Sequence, residues 1–190
     1  MPSSHRPTGV VALLALGVAL GGCGSADVKV KPPVPPGVSP QAWIGAFCGG
    51  LGEVIAAQAA AAKPAPTPQG QKDGLLKLAD ATVQALTNTA HKLTQLGPPG
   101  ITNGKQTQDS TVGFFTTAAA AVDDRRVKLA ELDVKDPNFA QKANQLAQVA
   151  GTDLGPATTQ VQGLTSNKEL TPAFGSAPEC QRLGAAVPHQ

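Results

Sequence analysis

Three kinds of side chain in this sequence could carry chemistry: histidines, clustered carboxylates and thiols. The histidines are His5, His91 and His189. Only His91 lies in the body of the chain, and no Gly-x-Ser-x-Gly elbow or glycine-rich oxyanion loop accompanies it, so a Ser-His-Asp relay has no support. His91 follows Ala90 on a helical seam, which predicts a solvated or rim position. The densest carboxylate stretch is Asp123-Asp124-Arg125-Arg126. Adjacent residues on a helix point about 100° apart, so the two aspartates cannot share a cation without other ligands. Local pairs, Asp123 with Arg126 and Asp124 with Lys128, are the expected outcome. No Glu-x-x-His di-metal pattern, P-loop or dinucleotide glycine pattern occurs. The thiols are Cys23, Cys48 and Cys180, nucleophilic only as thiolates and unavailable if paired. No catalytic residue, cofactor site or metal site is expected, and the chain reads as a non-enzyme.

One cysteine has a distinctive setting. Arg6 precedes an apolar run from Gly9 to Leu20, which leads into Leu20-Gly21-Gly22-Cys23. The run is shorter than the roughly 20 residues of a bilayer span, and small residues precede the cysteine, as in an export signal. This stretch resembles the lipobox of bacterial lipoprotein precursors, with Gly21 where Ala or Ser is usual. The resemblance implies removal of residues 1–22 and lipidation of Cys23 at the extracytoplasmic face of the cell membrane. An uncleaved anchor and an ordinary secretory signal cut elsewhere are the alternatives. If Cys23 carries lipid, Cys48 and Cys180 remain as one pair, which exported proteins commonly oxidise. Two buried unpaired cysteines are the other possibility.

Composition narrows the partners. With Arg6 in the leader, the 15 basic residues fall to one more than the 13 acidic ones. That balance gives no electrostatic case for nucleic acid. Aromatics are 3 % of the chain and tyrosine is absent, so base-stacking platforms and aromatic cages are poorly supplied. The core must come from Ala, Leu and Val, which favours closely approaching helices.

Residues 23–38 read as the lipidated cysteine and a tether, because Pro32, Pro33, Pro35 and Pro36 favour extended polyproline II. Residues 39–183 read as a helical domain. Ser39 caps a first helix with Pro40 at its first position, and Trp43, Ile44, Phe47, Cys48, Leu51, Val54, Ile55 and Gln58 form one broad face. A second helix covers about Gln71 to Leu96, with Leu76, Ala79, Val83, Leu86, Ala90 and Leu93 on its seam. Gly97-Pro98-Pro99-Gly100 stops it. A third, about Lys105 to Leu132, carries Phe115, Ala118, Val122, Arg125, Leu129 and Leu132. A fourth starts with Asp136 as cap and Pro137 first, then runs through Phe139, Ala143, Leu146, Ala150, Asp153, Ala157, Val161 and Leu164; Gly151 and Gly155-Pro156 would kink or split it. Arg125 and Asp153 break the seams and sit either at a rim or in a polar cluster; counted from the second turn, Arg125 is level with about Leu75, in reach of Asp73. Residues 166–183 fold as a short helical piece across one end, and residues 184–190 fray.

The fold expected is all-α: an up-down-up-down antiparallel four-helix bundle. The Trp and Phe-Cys of the first helix, the helical middle and the late Ala-Pro-Glu-Cys-Gln-Arg-Leu resemble small alanine-rich envelope lipoproteins of actinobacteria, over most of residues 43–183. That resemblance implies fold and location, and no activity. In the bundle the fourth helix ends beside the start of the first, which brings Cys180 under Cys48. The function expected is a non-catalytic binding or scaffolding module at the cell envelope. The alternative is a carrier holding an apolar ligand between helices 1 and 4. Its partners would be the membrane, through the anchor, and an envelope protein or apolar ligand.

Overall fold

The computed structural model describes residues 37–60, 66–152 and 155–186. Among them are seven helices: α1 (Pro40–Ala60), α2 (Pro68–Leu96), α3 (Gly104–Glu131), α4 (Phe139–Thr152), α5 (Gly155–Thr165), α6 (Thr171–Ser176) and α7 (Pro178–Ala186). No strand occurs among the described residues, and the class is all-α.

Local chemistry sets most helix starts. Ser39 Oγ accepts from the Ala42 amide at 3.2 Å, and Pro40 needs no partner in the first turn. Thr67 caps α2 by accepting from the Gly70 amide at 3.1 Å, with Pro68 first, so α2 begins three residues before Gln71. Asp136 does not cap the fourth helix directly. Its carboxylate accepts from the Asn138 amide at 2.7 Å, a local turn that delays α4 to Phe139. Pro156 lies in the first turn of α5, where a missing N–H costs nothing. The fourth helix is thus represented by two helices, and Asp153 lies outside the described residues. At the far end α7 runs to Ala186, so residues 184–186 are helical and not frayed; Leu183, half-buried against the core, extends the apolar pattern past the expected end.

Packing divides the core into two clusters. The larger joins Trp43, Ile44 and Phe47 of α1 to Leu86 and Leu93 of α2, Phe115 of α3, Leu164 of α5, and Ala173 and Ala177 of the C-terminal helices. The smaller joins Leu129, Phe139 and Ala143, with Leu75 and Leu76 packed against them. Contacts between α2 and α3 are the most extensive, followed by those between α1 and α2. Early residues of one helix meet late residues of the next: Lys72 Nζ donates to the carbonyls of Ala130 and Leu132, each at 2.7 Å, and Gln108 meets Leu93. Helix α1 packs most closely on α2, α7 and α6, and among the described residues its backbone stays farther from α4 and α5. The C-terminal pair packs against α1, folded back by the turn at residues 166–170.

The α1 face is narrower than its sequence suggests. Buried residues stop at Gly50, while Ile55 is 37 % exposed and Gln58 is exposed. Helix α1 is long and apolar enough to cross a membrane by length and composition, yet its first half is the centre of the domain core. Gly50 marks the closest approach of α1 and α2. A Cβ there would lie 2.1 Å from Thr89 Oγ1 and 2.3 Å from its Cγ2, and Thr89 is buried with its hydroxyl donated to the Ala85 carbonyl. Gly50→Ala is therefore expected to destabilise by about 1–3 kcal/mol through overpacking. Gly52, with nothing within 4 Å of such a Cβ, gives the opposite sign: Gly52→Ala should stabilise by roughly 0.5–1 kcal/mol. Paired urea titrations measure both, and equal effects at the two positions would contradict the close crossing.

Candidate functional site

Two of the three cysteines meet. Cys48 of α1 and Cys180 of α7 stand at disulfide distance, with sulfurs 1.99 Å and Cα atoms 5.0 Å apart. Their meeting depends on how α7 seats on α1. Glu179 lies over the α1 backbone at Gly45 and Gly49, where Cβ atoms would approach its side chain to 2.9 and 3.6 Å. Small residues at these two positions let α7 approach closely, and Gln41 Nε2 donates to the Ser176 carbonyl at 3.1 Å to hold the α6 end.

Beside the thiols is an aromatic cluster. The rings of Trp43 and Phe47 lie parallel with centroids 6.5 Å apart. Phe115 and Phe174 meet Phe47 edge-on at 5.8 and 6.4 Å, and Phe114 meets Phe115 at 5.2 Å. Of the chain's aromatic residues, only Phe139 lies in the other cluster.

A buried polar relay crosses this cluster. Trp43 Nε1 donates to Gln108 Oε1 at 2.5 Å, and Gln108 Nε2 donates to the Leu93 carbonyl at 2.5 Å. Gln160 Nε2 donates to Thr111 Oγ1 at 2.7 Å. Every buried polar side-chain atom among the described residues has a partner, so the relay is satisfied and offers nothing to a ligand. Sequence reading missed Gln108, although it stands one heptad before Phe115 on the same stripe and so carried a signal. A buried polar group of this kind fixes register between three helices.

Other positions singled out in the sequence are superficial. His91 is exposed. Arg126 Nε donates to Asp123 Oδ1 at 2.7 Å and Lys128 Nζ to Asp124 Oδ2 at 2.6 Å. The hydrogen bond that Arg126 donates to Asp123, and then the Asp123 charge, raises the Arg126 guanidinium pKa above its ordinary value. Arg125 is half-buried and does not pair with Asp73, whose carboxylate accepts from Gln69 at 2.7 Å. Its neighbour Arg126 reaches across to Asp80 at 3.5 Å instead. Adjacent residues on a helix point about 100° apart, and of the two arginines it is Arg126 that reaches α2.

Asp136, in the α3–α4 turn, holds the Lys142 ammonium at 2.5 Å. The hydrogen bond from Lys142, and then that from the Asn138 amide, keeps its carboxyl below the usual carboxylate range. A lowered folded pKa means the stabilisation is present above the unfolded carboxyl pKa and lost as pH falls through the folded one. The melting-temperature gap between the wild type and Asp136→Asn should thus be widest near neutral pH and close on acidification. A gap that is constant with pH would contradict that linkage.

Two open grooves flank the core. One of about 410 Å³ lies between α1 and α7, along Ala42, Gly45, Gly49 and Glu179, with Lys92 at its edge. Another of about 690 Å³ lies between α2 and α3, along Thr94, Pro98, Gln108 and Val112. Among the described residues, no group of three or more His, Cys, Asp or Glu could hold a metal ion. Residues 1–36, including Cys23, lie outside the described residues. No family model, curated protein or solved structure matches this sequence.

Proposed function

We propose that the chain is a lipid-anchored extracytoplasmic protein whose helical domain works without catalysis, as a binding or scaffolding module at the cell envelope. The observation that carries this reading is the use of the cysteines. Cys48 and Cys180 are taken up with each other, which accounts for two of the three, and the third stands in Leu20-Gly21-Gly22-Cys23 behind an apolar leader. A bond of that kind persists in oxidising, extracytoplasmic compartments. The domain is read as an up-down-up-down bundle in which α4 and α5 together form the fourth helix. The antiparallel succession α1, α2, α3 and the Ser110–Gln160 contact between α3 and α5 support that reading. The buried Trp43–Gln108–Leu93 relay is fully satisfied, so its polar groups are spent on packing and not on a reaction.

One acyl chain binds a membrane marginally, whereas two or more hold it firmly. Cys23→Ser is expected to move the protein from the membrane fraction to the medium or to an uncleaved precursor pool. Cell fractionation with intact-mass measurement of the N-terminal peptide reads the outcome. An unchanged membrane fraction with unmodified Cys23 would overturn the reading.

A further inference from the structure

We propose that helix α7 is a lid on the Cys48–Cys180 bond: a thiol reductant reaches the sulfurs only when α7 lifts from α1 in an otherwise folded domain. A thiolate attacks one sulfur of a disulfide while the other leaves, so two approaches exist. Attack on Cys48 would come through the core, because Cys48 is 2 % exposed and packed in the cluster that holds Ile44, Phe47 and Phe115. Attack on Cys180 meets two obstacles. Its sulfur lies against the α1 backbone, 3.8 Å from the Ile44 carbonyl oxygen. The leaving group would be a Cys48 thiolate inside the apolar cluster, where an unpaired charge is costly. The open groove between α1 and α7 relieves neither obstacle. Gly49 and Glu179, each next in sequence to one of the cysteines, line it, but neither cysteine does.

Helix α7 is the piece able to move. It has 9 residues and, among the described residues, packs closely on α1 and α6 alone. Apart from the bond itself it is seated by Glu179 over Gly45 and Gly49. One non-helical residue, Ala177, joins it to α6; Ala177 is fully buried and serves as a fixed pivot just before the turn that carries Cys180. A short terminal helix of this kind opens at a lower free energy than the whole fold. Lifting it draws the Cys180 sulfur off the Ile44 carbonyl and uncovers Cys48 to water. A dithiol can then complete the exchange. One of its thiolates bonds to the Cys180 sulfur, and Cys48 leaves as a thiolate and takes up the proton that the attacking thiol lost. The second thiol displaces Cys180, which is protonated in turn, so two electrons pass to the protein and the dithiol becomes a disulfide.

The test follows reduction of the oxidised full chain by dithiothreitol, reading alkylated Cys48 and Cys180 peptides by mass spectrometry, so Cys23 does not enter. Native reduction should be slower than in the urea-unfolded chain by about 100-fold or more, as for an opening of about 2.8 kcal/mol. A short peptide disulfide in the same solutions corrects for solvent. Below the unfolding transition the rate should rise only weakly with urea, because lifting α7 exposes little surface. Gly49→Leu, which puts a large side chain under Glu179, should speed reduction about tenfold. Gly52→Leu, the same change where a Cβ would meet nothing within 4 Å, should leave the rate within about twofold. A native rate equal to the unfolded one overturns the gate. A rate that climbs with urea as steeply as global unfolding overturns α7 as the moving part, a result that needs only the wild type if Gly49→Leu does not fold. A folded Gly49→Leu variant reduced no faster than Gly52→Leu overturns the Glu179 seat as what holds the lid.

Discussion

Reduction of the Cys48–Cys180 bond is expected to lower the melting temperature of the domain by roughly 10–20 °C, the shift that about 5 kcal/mol produces in a protein of this size. The two cysteines are 132 residues apart in sequence. Opening a loop of that length returns a large conformational freedom to the unfolded chain, about 5 kcal/mol in the chain-entropy model. That is a large share of the roughly 5–15 kcal/mol that holds a typical domain together, and an alanine-rich core has little in reserve. Among the described residues helix α7 packs closely on α1 and α6 alone, so few other connections compensate. Calorimetry of the oxidised wild type, the reduced wild type and the Cys48→Ala/Cys180→Ala variant measures the effect. Shifts of only two or three degrees would mean that the Glu179 seat on Gly45 and Gly49 closes the domain by itself.

Truncation of Phe47 should cost about 3–5 kcal/mol, the usual range for a buried phenylalanine replaced by alanine. Phe47 is 1 % exposed and touches three other aromatic rings that come from α1, α3 and α6. Such pairs add about 0.5–1.5 kcal/mol each beyond the area they bury. Phe47→Leu keeps much of the volume and should lose distinctly less than Phe47→Ala. Urea denaturation followed by circular dichroism reads the midpoints, and an unchanged slope shows that the loss is one of stability. A cost near 1 kcal/mol for Phe47→Ala would mean that the surrounding helices close over the gap.

Much of the architecture was written in local signals. Ser39-Pro40 and Gly97-Pro98-Pro99-Gly100 act within a few residues of themselves, and the helices they bound lie where those residues require. The Asp123–Arg126 and Asp124–Lys128 pairs follow from helical spacing in the same way. Quantities set by distant parts of the chain were not legible. Which of two adjacent arginines faces α2 depends on the rotation of α3 about its axis, and it is Arg126 that reaches across to Asp80. The place of α6 and α7 on α1 depends on Gly45 and Gly49 accepting Glu179, and a glycine pair in one helix does not say which helix comes to it. Val38 closes the proline-rich stretch, and nothing in its neighbours names the partners it takes: its amide donates to the Pro98 carbonyl at 3.0 Å and its carbonyl accepts from the Gly100 amide at 2.7 Å. Gln108 was legible by position and was passed over by residue type.

The chain has one tryptophan and no tyrosine, and Trp43 is fully buried with its indole N–H bonded to Gln108. Its intrinsic emission therefore comes from a single point, the junction of α1, α2 and α3. The smaller cluster around Phe139 and Leu129 contributes nothing above 300 nm, where only the indole emits appreciably, so that cluster is optically silent. A melt followed by emission reports the larger cluster, whereas one followed by ellipticity averages over both. Coincident curves would establish that the two clusters unfold as one cooperative unit. Separated curves would resolve them, with no label added to the protein.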